Sequence, residues 1–183
     1  MDSYKSEGVV LKRINYGEAD RIVTIFSKQH GKTALIAKGI RRMTSRKRGS
    51  LEIFNQISFY AARGKGMDII TEAEVIESFS ILRNDLKKVG AAYEICEVVD
   101  KLLAEAVPEY EVYESLISSL KIISQSDEKI VSMAVENFFK NILIILGYWP
   151  RTKIFPENFD SRNYLENTIE RRLNSGDITR RIA

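Results

Sequence analysis

The sequence predicts an α+β protein, in which an N-terminal barrel of five strands is followed by an all-helical domain. Up to residue 80, short runs rich in β-forming residues are separated by turn signals, as in antiparallel strands. From Leu86 onward the apolar residues recur at steps of three and four, as on one face of a helix. The formal charge also changes, from +9 over residues 1–66 to −8 over residues 67–150. We therefore expect one domain at residues 1–80 and a second at residues 81–183.

Five segments of the first domain carry a strand pattern. The clearest is RIVTIFS (residues 21–27), which places apolar side chains on two alternating faces. A short turn that contains glycine, at residues 63–66, separates the last two segments, as a hairpin requires. The predicted strands cover residues 8–16, 21–27, 33–37, 53–61 and 67–79. Five short antiparallel strands can close into a small barrel, which removes exposed edges.

The rest of the chain carries helical patterns. An apolar series begins at Leu86 and ends at Val107, with Asn84 as the expected N-cap and Pro108 beyond the end. The predicted helices cover residues 86–107, 113–123, 127–146 and 163–173. Gly147 follows the third helix, as a C-terminal stop signal does. The boundary between the two domains is expected near residues 80–84.

Composition excludes several classes of protein. The single cysteine, Cys96, allows neither a disulfide within the chain nor a cysteine-based zinc site, and it fits a reducing cytoplasm. The only histidine, His30, lies in a polar turn, and no carboxylate pair has a histidine or serine placed to serve it. We therefore expect neither an enzyme nor a cofactor. Residues 142–148 are too short to span a bilayer, and the N-terminus lacks signal-peptide features.

A dense basic segment, KGIRRMTSRKR, occupies residues 38–48. It holds six cations and no acid, and it lies between two predicted strands. It is either a solvated loop or a surface for phosphate, since phosphate binding needs dense positive charge rather than one fixed spacing. We predict contact with nucleic-acid phosphate. The candidate residues for this contact are Arg13, Arg21, Lys38, Arg41, Arg42, Arg46, Lys47, Arg48, Arg63 and Lys65.

Aromatic residues are interleaved with these cations. Aromatic rings can stack on the bases of single strands without reading their sequence. The alternative is that most of these rings fill the barrel core. The residues concerned are Tyr16, Phe26, Phe54, Phe59 and Tyr60.

Several segments, taken together, are similar to one family. They are EGVVLK (residues 7–12), YGEADRIVTIFSKQHGK (16–32), AKGIRRMTSR (37–46), GKGMDIITEAE (64–74), ESF (77–79) and LGYWP (146–150). In this order they resemble the RecO family of bacterial DNA-repair proteins. The resemblance implies an N-terminal OB-fold, a helical domain and a recombination mediator associated with the nucleoid. It also implies binding to single- and double-stranded DNA, strand annealing, and loading of RecA together with RecR onto DNA coated by single-stranded DNA-binding protein.

The C-terminal segment departs from that family. Many members carry a four-cysteine zinc module after the segment that matches LGYWP, whereas residues 151–183 contain no cysteine. We therefore expect no zinc. YLENTIERRLNS (residues 164–175) is similar to the closing helix of the family, as though the module were cut short. A cluster of four arginines there either replaces part of its DNA contact or caps a helix; its members are Arg171, Arg172, Arg180 and Arg181.

The helical domain is the expected platform for protein partners. The acidic tail of single-stranded DNA-binding protein would need an apolar groove beside a cation, and Lys121, Lys129 and Lys140 are the candidates. Three other classes of protein remain open at this point. The first is an RNA-binding protein, because OB barrels also bind RNA. The second is a nuclease, which would need a carboxylate cluster that the basic region lacks. The third is a purely structural protein, which would leave the charge asymmetry unexplained.

Overall fold

The structure is a computed structural model, and it describes residues 2–170 and 173–174. By their contacts, these residues divide into two compact units. The barrel unit contains residues 2–79 and 103–113, and the helical unit contains residues 80–102 and the described residues from Glu114 onward. The predicted domain limits at residues 80 and 81 stay a prediction.

The barrel unit is a closed barrel of five strands. They are β1 (Ser3–Tyr16), β2 (Asp20–Ser27), β3 (Gly31–Ala37), β4 (Gln56–Ala62) and β5 (Ile69–Glu77). The order around the barrel is β1-β2-β3-β5-β4, and β1 pairs with β4 to close it. The long β1 pairs with β4 along its first half and with β2 along its second half, and its register shifts between Val10 and Lys12. The predicted α+β class and the OB-fold barrel are confirmed.

The strand predictions need four corrections. β1 begins at Ser3, five residues before its predicted start. The pairing is not entirely antiparallel, because β3 and β5 run parallel where Ile36 faces Ile69. β4 starts at Gln56 rather than at residue 53, because the chain turns at Phe54 with a φ of 75° and bonds there to Val10. β5 is shorter than predicted at both ends.

The barrel core comes from the inward faces of all five strands. Val23, Ile25 and Leu35 are fully buried there, with Ile40 and Leu51 of the β3–β4 loop closing one region of the core. Burial of these apolar side chains is the main favourable contribution to the stability of the barrel.

The helical unit begins with a short 3-10 helix (Ser80–Asn84), which four α-helices follow. They are α1 (Leu86–Leu102), α2 (Tyr110–Gln125), which begins in the barrel unit, α3 (Glu128–Ile145) and α4 (Ser161–Thr168). Asp127 caps α3 by accepting from the backbone N–H of Ile130. The predicted second and third helices are thus confirmed in position.

Two predictions about α1 were wrong. Its N-cap is Asp85 rather than Asn84, because the Asp85 carboxylate accepts from the backbone of Lys87 and Lys88. The helix ends at Leu102 rather than at Val107. Beyond it the chain pairs with β3 in the barrel unit, where the N–H of Ala106 donates to the Lys32 carbonyl.

The C-terminal segment is organised around Trp149. Its ring stacks on Phe155 at 4.7 Å between centroids and also packs against Phe159, and its Nε1 donates to the Lys153 carbonyl at 2.8 Å. The last helix runs from Ser161 to Thr168 instead of residues 163–173. The arginine cluster at residues 171, 172, 180 and 181 lies outside the described residues. No helix in the described part of the chain is long and apolar enough to cross a membrane.

Candidate nucleic-acid interface

The basic segment lies in the loop that joins β3 to β4, residues 38–55, and this loop is anchored to the β1–β2 turn. The backbone N–H of Gly39 donates to the Asp20 carboxylate at 2.7 Å. Arg41 donates twice, from its backbone N–H to the Ala19 carbonyl at 2.9 Å and from its Nη1 to the Gly17 carbonyl at 3.2 Å. These bonds fix the start of the loop, although its charged side chains repel one another.

Four further cations of the loop face solvent. Among the described residues, no hydrogen-bond or ion-pair partner is found for the side chains of Lys38, Arg42, Arg46 and Arg48. Met43, at the centre of the segment, is 94% exposed. Exposed cations without acid partners form a surface suited to a polyanion, because they neutralise phosphate without first losing an ion pair.

Arg21 shows that cations from separate elements meet here. Partial burial, together with repulsion from Arg13, Arg41 and Arg48, lowers the pKa of its guanidinium, and Glu52 partly offsets the effect. Its Nε donates to the Asn15 side chain at 3.1 Å, which holds it at the start of β2. The barrel thus gathers arginines of β1, β2 and the basic loop into one positive region.

Two further predicted residues, Arg13 and Lys47, also have internal partners. Arg13 forms an ion pair with Glu52, which ties β1 to the loop. The Nζ of Lys47 donates to the Ile70 carbonyl at 2.7 Å, and burial lowers the pKa of this amine. These contacts hold the loop against the barrel. They also leave fewer polar atoms of the two side chains available to a ligand.

Arg63 and Lys65 lie at a different place, in the β4–β5 turn. The Nη1 of Arg63 donates to Asp68 at 3.2 Å, and its Cζ lies 4.8 Å from the centroid of the Tyr4 ring. Lys65 is exposed. Ala62, just before this turn, pairs with Ser3 at the start of β1, whereas the basic loop is anchored to Gly17 beyond the other end of β1. Arg63 and Lys65 therefore lie apart from the basic loop.

The aromatic residues separate clearly into two groups. Phe26, Phe54 and Phe59 are buried, and Phe59 lies in the barrel core, as the core alternative predicts for it. Tyr16 and Tyr60 keep 50% and 41% of their surface exposed. Tyr16 immediately precedes Gly17, to which the basic loop is anchored, so it is the exposed ring beside the cations.

The three lysines proposed for a protein partner lie in the helical unit. Lys121 and Lys129 are exposed on α2 and α3. Lys140 pairs with Glu136 at 3.1 Å and lies over the Phe155 ring. None of the three lines the cleft of about 310 Å³ that α1 and α3 form with Arg162 of α4.

Residues that the sequence did not single out line that cleft. Its floor is apolar, with Val131, Val135 and Phe139 on one face of α3, and its cations are Lys87 and Arg162. The spacing of the α3 residues at steps of four was visible in the sequence. That these buried residues line a cleft was not visible, because a helix face that lines a cleft has the same period as one that is fully packed.

Comparison with known proteins shows matches over most of the chain. The family model for the N-terminal part of recombination protein O matches residues 1–79, and that for its C-terminal part matches residues 83–153. The protein named DNA repair protein RecO of Rubrobacter xylanophilus is 36% identical over 151 residues, which are 82% of this chain and 60% of that protein. Its namesake from Acetivibrio thermocellus is 35% identical over 150 residues, 82% of this chain and 59% of the relative.

A third relative, the DNA repair protein RecO of Pelotomaculum thermopropionicum, is 32% identical over 150 residues, or 82% of this chain and 57% of that protein. The chain therefore spans less than two thirds of the length of these curated relatives. The matches follow the barrel and then the helices in the same order as the folded units. On this evidence of sequence and fold, the chain belongs to the recombination protein O family.

Proposed function

We propose that this chain binds single-stranded DNA through the basic loop and acts in DNA repair and recombination. The observation that carries the proposal is the group of exposed cations without acid partners among the described residues, namely Lys38, Arg42, Arg46 and Arg48. Anchoring of the loop backbone by Asp20 and Arg41 supports it, because a pre-ordered surface loses less entropy on binding. The protein acts by binding rather than by catalysis.

The finer part of the proposal concerns the pathway. As a member of its family, the chain anneals complementary strands, binds duplex DNA as well, and assists RecR in loading RecA at the nucleoid. The helical unit serves protein partners, including the acidic tail of single-stranded DNA-binding protein. The apolar floor of the cleft supports that role, although Lys87 and Arg162 already pair with Glu128 and Glu94, with which an acidic tail must compete.

The salt dependence of binding tests the DNA surface. Fluorescence anisotropy of a labelled single-stranded oligonucleotide is measured over a salt series, for wild type and for Arg42→Ala/Arg46→Ala/Arg48→Ala. If each arginine neutralises one phosphate, the slope of log affinity against log salt shrinks by roughly 2. The control is Lys121→Ala/Lys129→Ala in the helical unit, for which we expect the wild-type slope.

An unchanged slope in the triple variant contradicts the proposal. The basic loop would then be tested as a docking surface for a protein partner. A matched RNA competitor tests the alternative that the barrel serves RNA. Stronger displacement by RNA than by DNA of the same sequence favours the RNA-binding alternative.

A further inference from the structure

The outer surface of β1, β2 and β3 carries an apolar row. Ile14 lies opposite Ile22, and Ile22 lies opposite Ile36, so these three side chains follow one another across three strands. Their neighbour Val23 points to the other face and is fully buried in the barrel core. Alternation along a strand therefore places the isoleucine row on the outside of the barrel.

One end of this outer surface is closed by the chain itself. Residues 103–113, named the strap here, belong to the barrel unit. Tyr113 of the strap packs edge-on against Phe26, with 5.9 Å between ring centroids, and Phe26 is fully buried although it points outward from the barrel. The strap passes so close that a Cβ on Gly31, which has a φ of 67°, would lie 2.2 Å from the Val107 carbonyl oxygen.

The other end of the surface is open and lies beside the cations. Ile14 is 51% exposed, and Tyr16, two residues further along β1, is similarly exposed. The guanidinium of Arg41 reaches the carbonyl of Gly17, the residue after Tyr16. The open end thus combines an aromatic ring, an aliphatic row and an adjacent basic loop.

We propose that this open end is a platform for unpaired bases, with Tyr16 as the residue that makes the protein prefer single strands to duplex. This inference rests on the proposed function, in which the basic loop holds the phosphates. Bases of a single strand can stack on an exposed ring, whereas bases inside a duplex already stack on each other. Because the strap blocks the Phe26 end, the platform takes a short run of bases.

The test compares Tyr16→Ala with Tyr60→Ala, which removes an exposed tyrosine of β4, over whose ring the Nζ of Lys5 lies at 5.4 Å. Anisotropy is recorded with a labelled oligothymidylate and with a labelled hairpin duplex, across a salt series. Loss of one stacked base weakens single-strand binding about 5-fold or more. We expect this for Tyr16→Ala, with an unchanged salt slope and with duplex affinity changed less than about 2-fold.

Tyr16→Phe keeps the ring, so it should bind single strands as wild type does, which separates stacking from any effect on folding. The inference is overturned if Tyr16→Ala binds like Tyr60→Ala, or if its affinities for single strand and duplex fall equally. In those cases the salt-dependent binding of wild type still supports the proposed function. Absence of any salt-dependent binding by wild type overturns both.

Discussion

The two units use the same kind of side chain in opposite ways. In the helical unit, four lysines and arginines form ion pairs with glutamates; the pairs are Lys87–Glu128, Lys101–Glu97, Lys140–Glu136 and Arg162–Glu94. In the basic loop of the barrel unit, four cations have no such partner among the described residues. Counting the charged residues of the sequence distinguishes only a positive region from a negative region.

The difference teaches that the pairing of a cation with an acid, rather than the number of cations, separates a charge with a structural role from one that is proposed to bind a ligand. An ion pair in the helical unit is satisfied inside the fold and needs no ligand. A cluster of unpaired arginines raises the energy of the free protein through repulsion, which a bound polyanion relieves. Predictions that separate the two kinds of cation therefore concern stability in one case and binding in the other.

The largest expected effect is on the pair of Arg162 and Glu94, because the Glu94 side chain is only 3% exposed. Arg162→Ala removes a charged hydrogen-bond partner from that carboxylate and should lower the free energy of unfolding by about 2–3 kcal/mol. Urea denaturation measures it. The matched control is Arg42→Ala in the basic loop, which should stay within about 0.5 kcal/mol of wild type. Equal losses of stability in the two variants would contradict the proposed difference between the units.

A sharper comparison uses two adjacent residues of the basic loop. Lys47 donates to the Ile70 carbonyl and is half-buried, whereas Arg46 is exposed. Lys47→Ala should lower the free energy of unfolding by about 1–2 kcal/mol, since it breaks a charged hydrogen bond and removes a packed aliphatic stem. Arg46→Ala should leave stability nearly unchanged and weaken DNA binding instead. Denaturation and anisotropy are measured on the same two variants. If Arg46→Ala lost stability and Lys47→Ala lost only DNA binding, the roles given to these two residues would be wrong.

The smallest effect is confined to alkaline pH and concerns Tyr4, next to Arg63. Burial and the hydrogen bond to Asp68 raise the pKa of Tyr4 from 10.0 to about 12, with Arg63 opposing the shift. Between these two values the unfolded chain has lost the phenol proton while the folded protein keeps it, so stability falls as the pH rises. Urea midpoints at several pH values should show a decline that Tyr4→Phe lacks. Parallel pH curves would mean that the phenol titrates alike in both states.

Most of the elements were predictable from local pattern. The alternation in residues 21–27 identified β2, and the steps of three and four after Asp127 identified α3. These signals are local, because side chains two residues apart share a strand face and those three or four apart share a helix face. The end of α1 at Leu102 was missed, because the apolar series runs on to Val107 while the backbone there bonds to β3 instead.

The candidate site was predictable only as a region. Density of charge pointed to residues 38–48, and the structure keeps most of those cations on the surface. The different environments of Arg46 and Lys47 were not predictable, because the carbonyl that receives the Lys47 amine lies 23 residues further along the chain. The same holds for Arg13, whose partner Glu52 is 39 residues away.

The sequence by itself determined the order of strands and helices, the place of the positive charge and the family, since all of these depend on residue types in linear order. Tertiary structure alone decided which cations are paired, which aromatic rings are buried, and which end of the outer barrel surface the strap covers. Those outcomes depend on contacts between residues far apart in the chain. Tyr16 and Phe26 illustrate it, for both are aromatic residues of the first two strands, yet one is exposed and the other is buried under Tyr113.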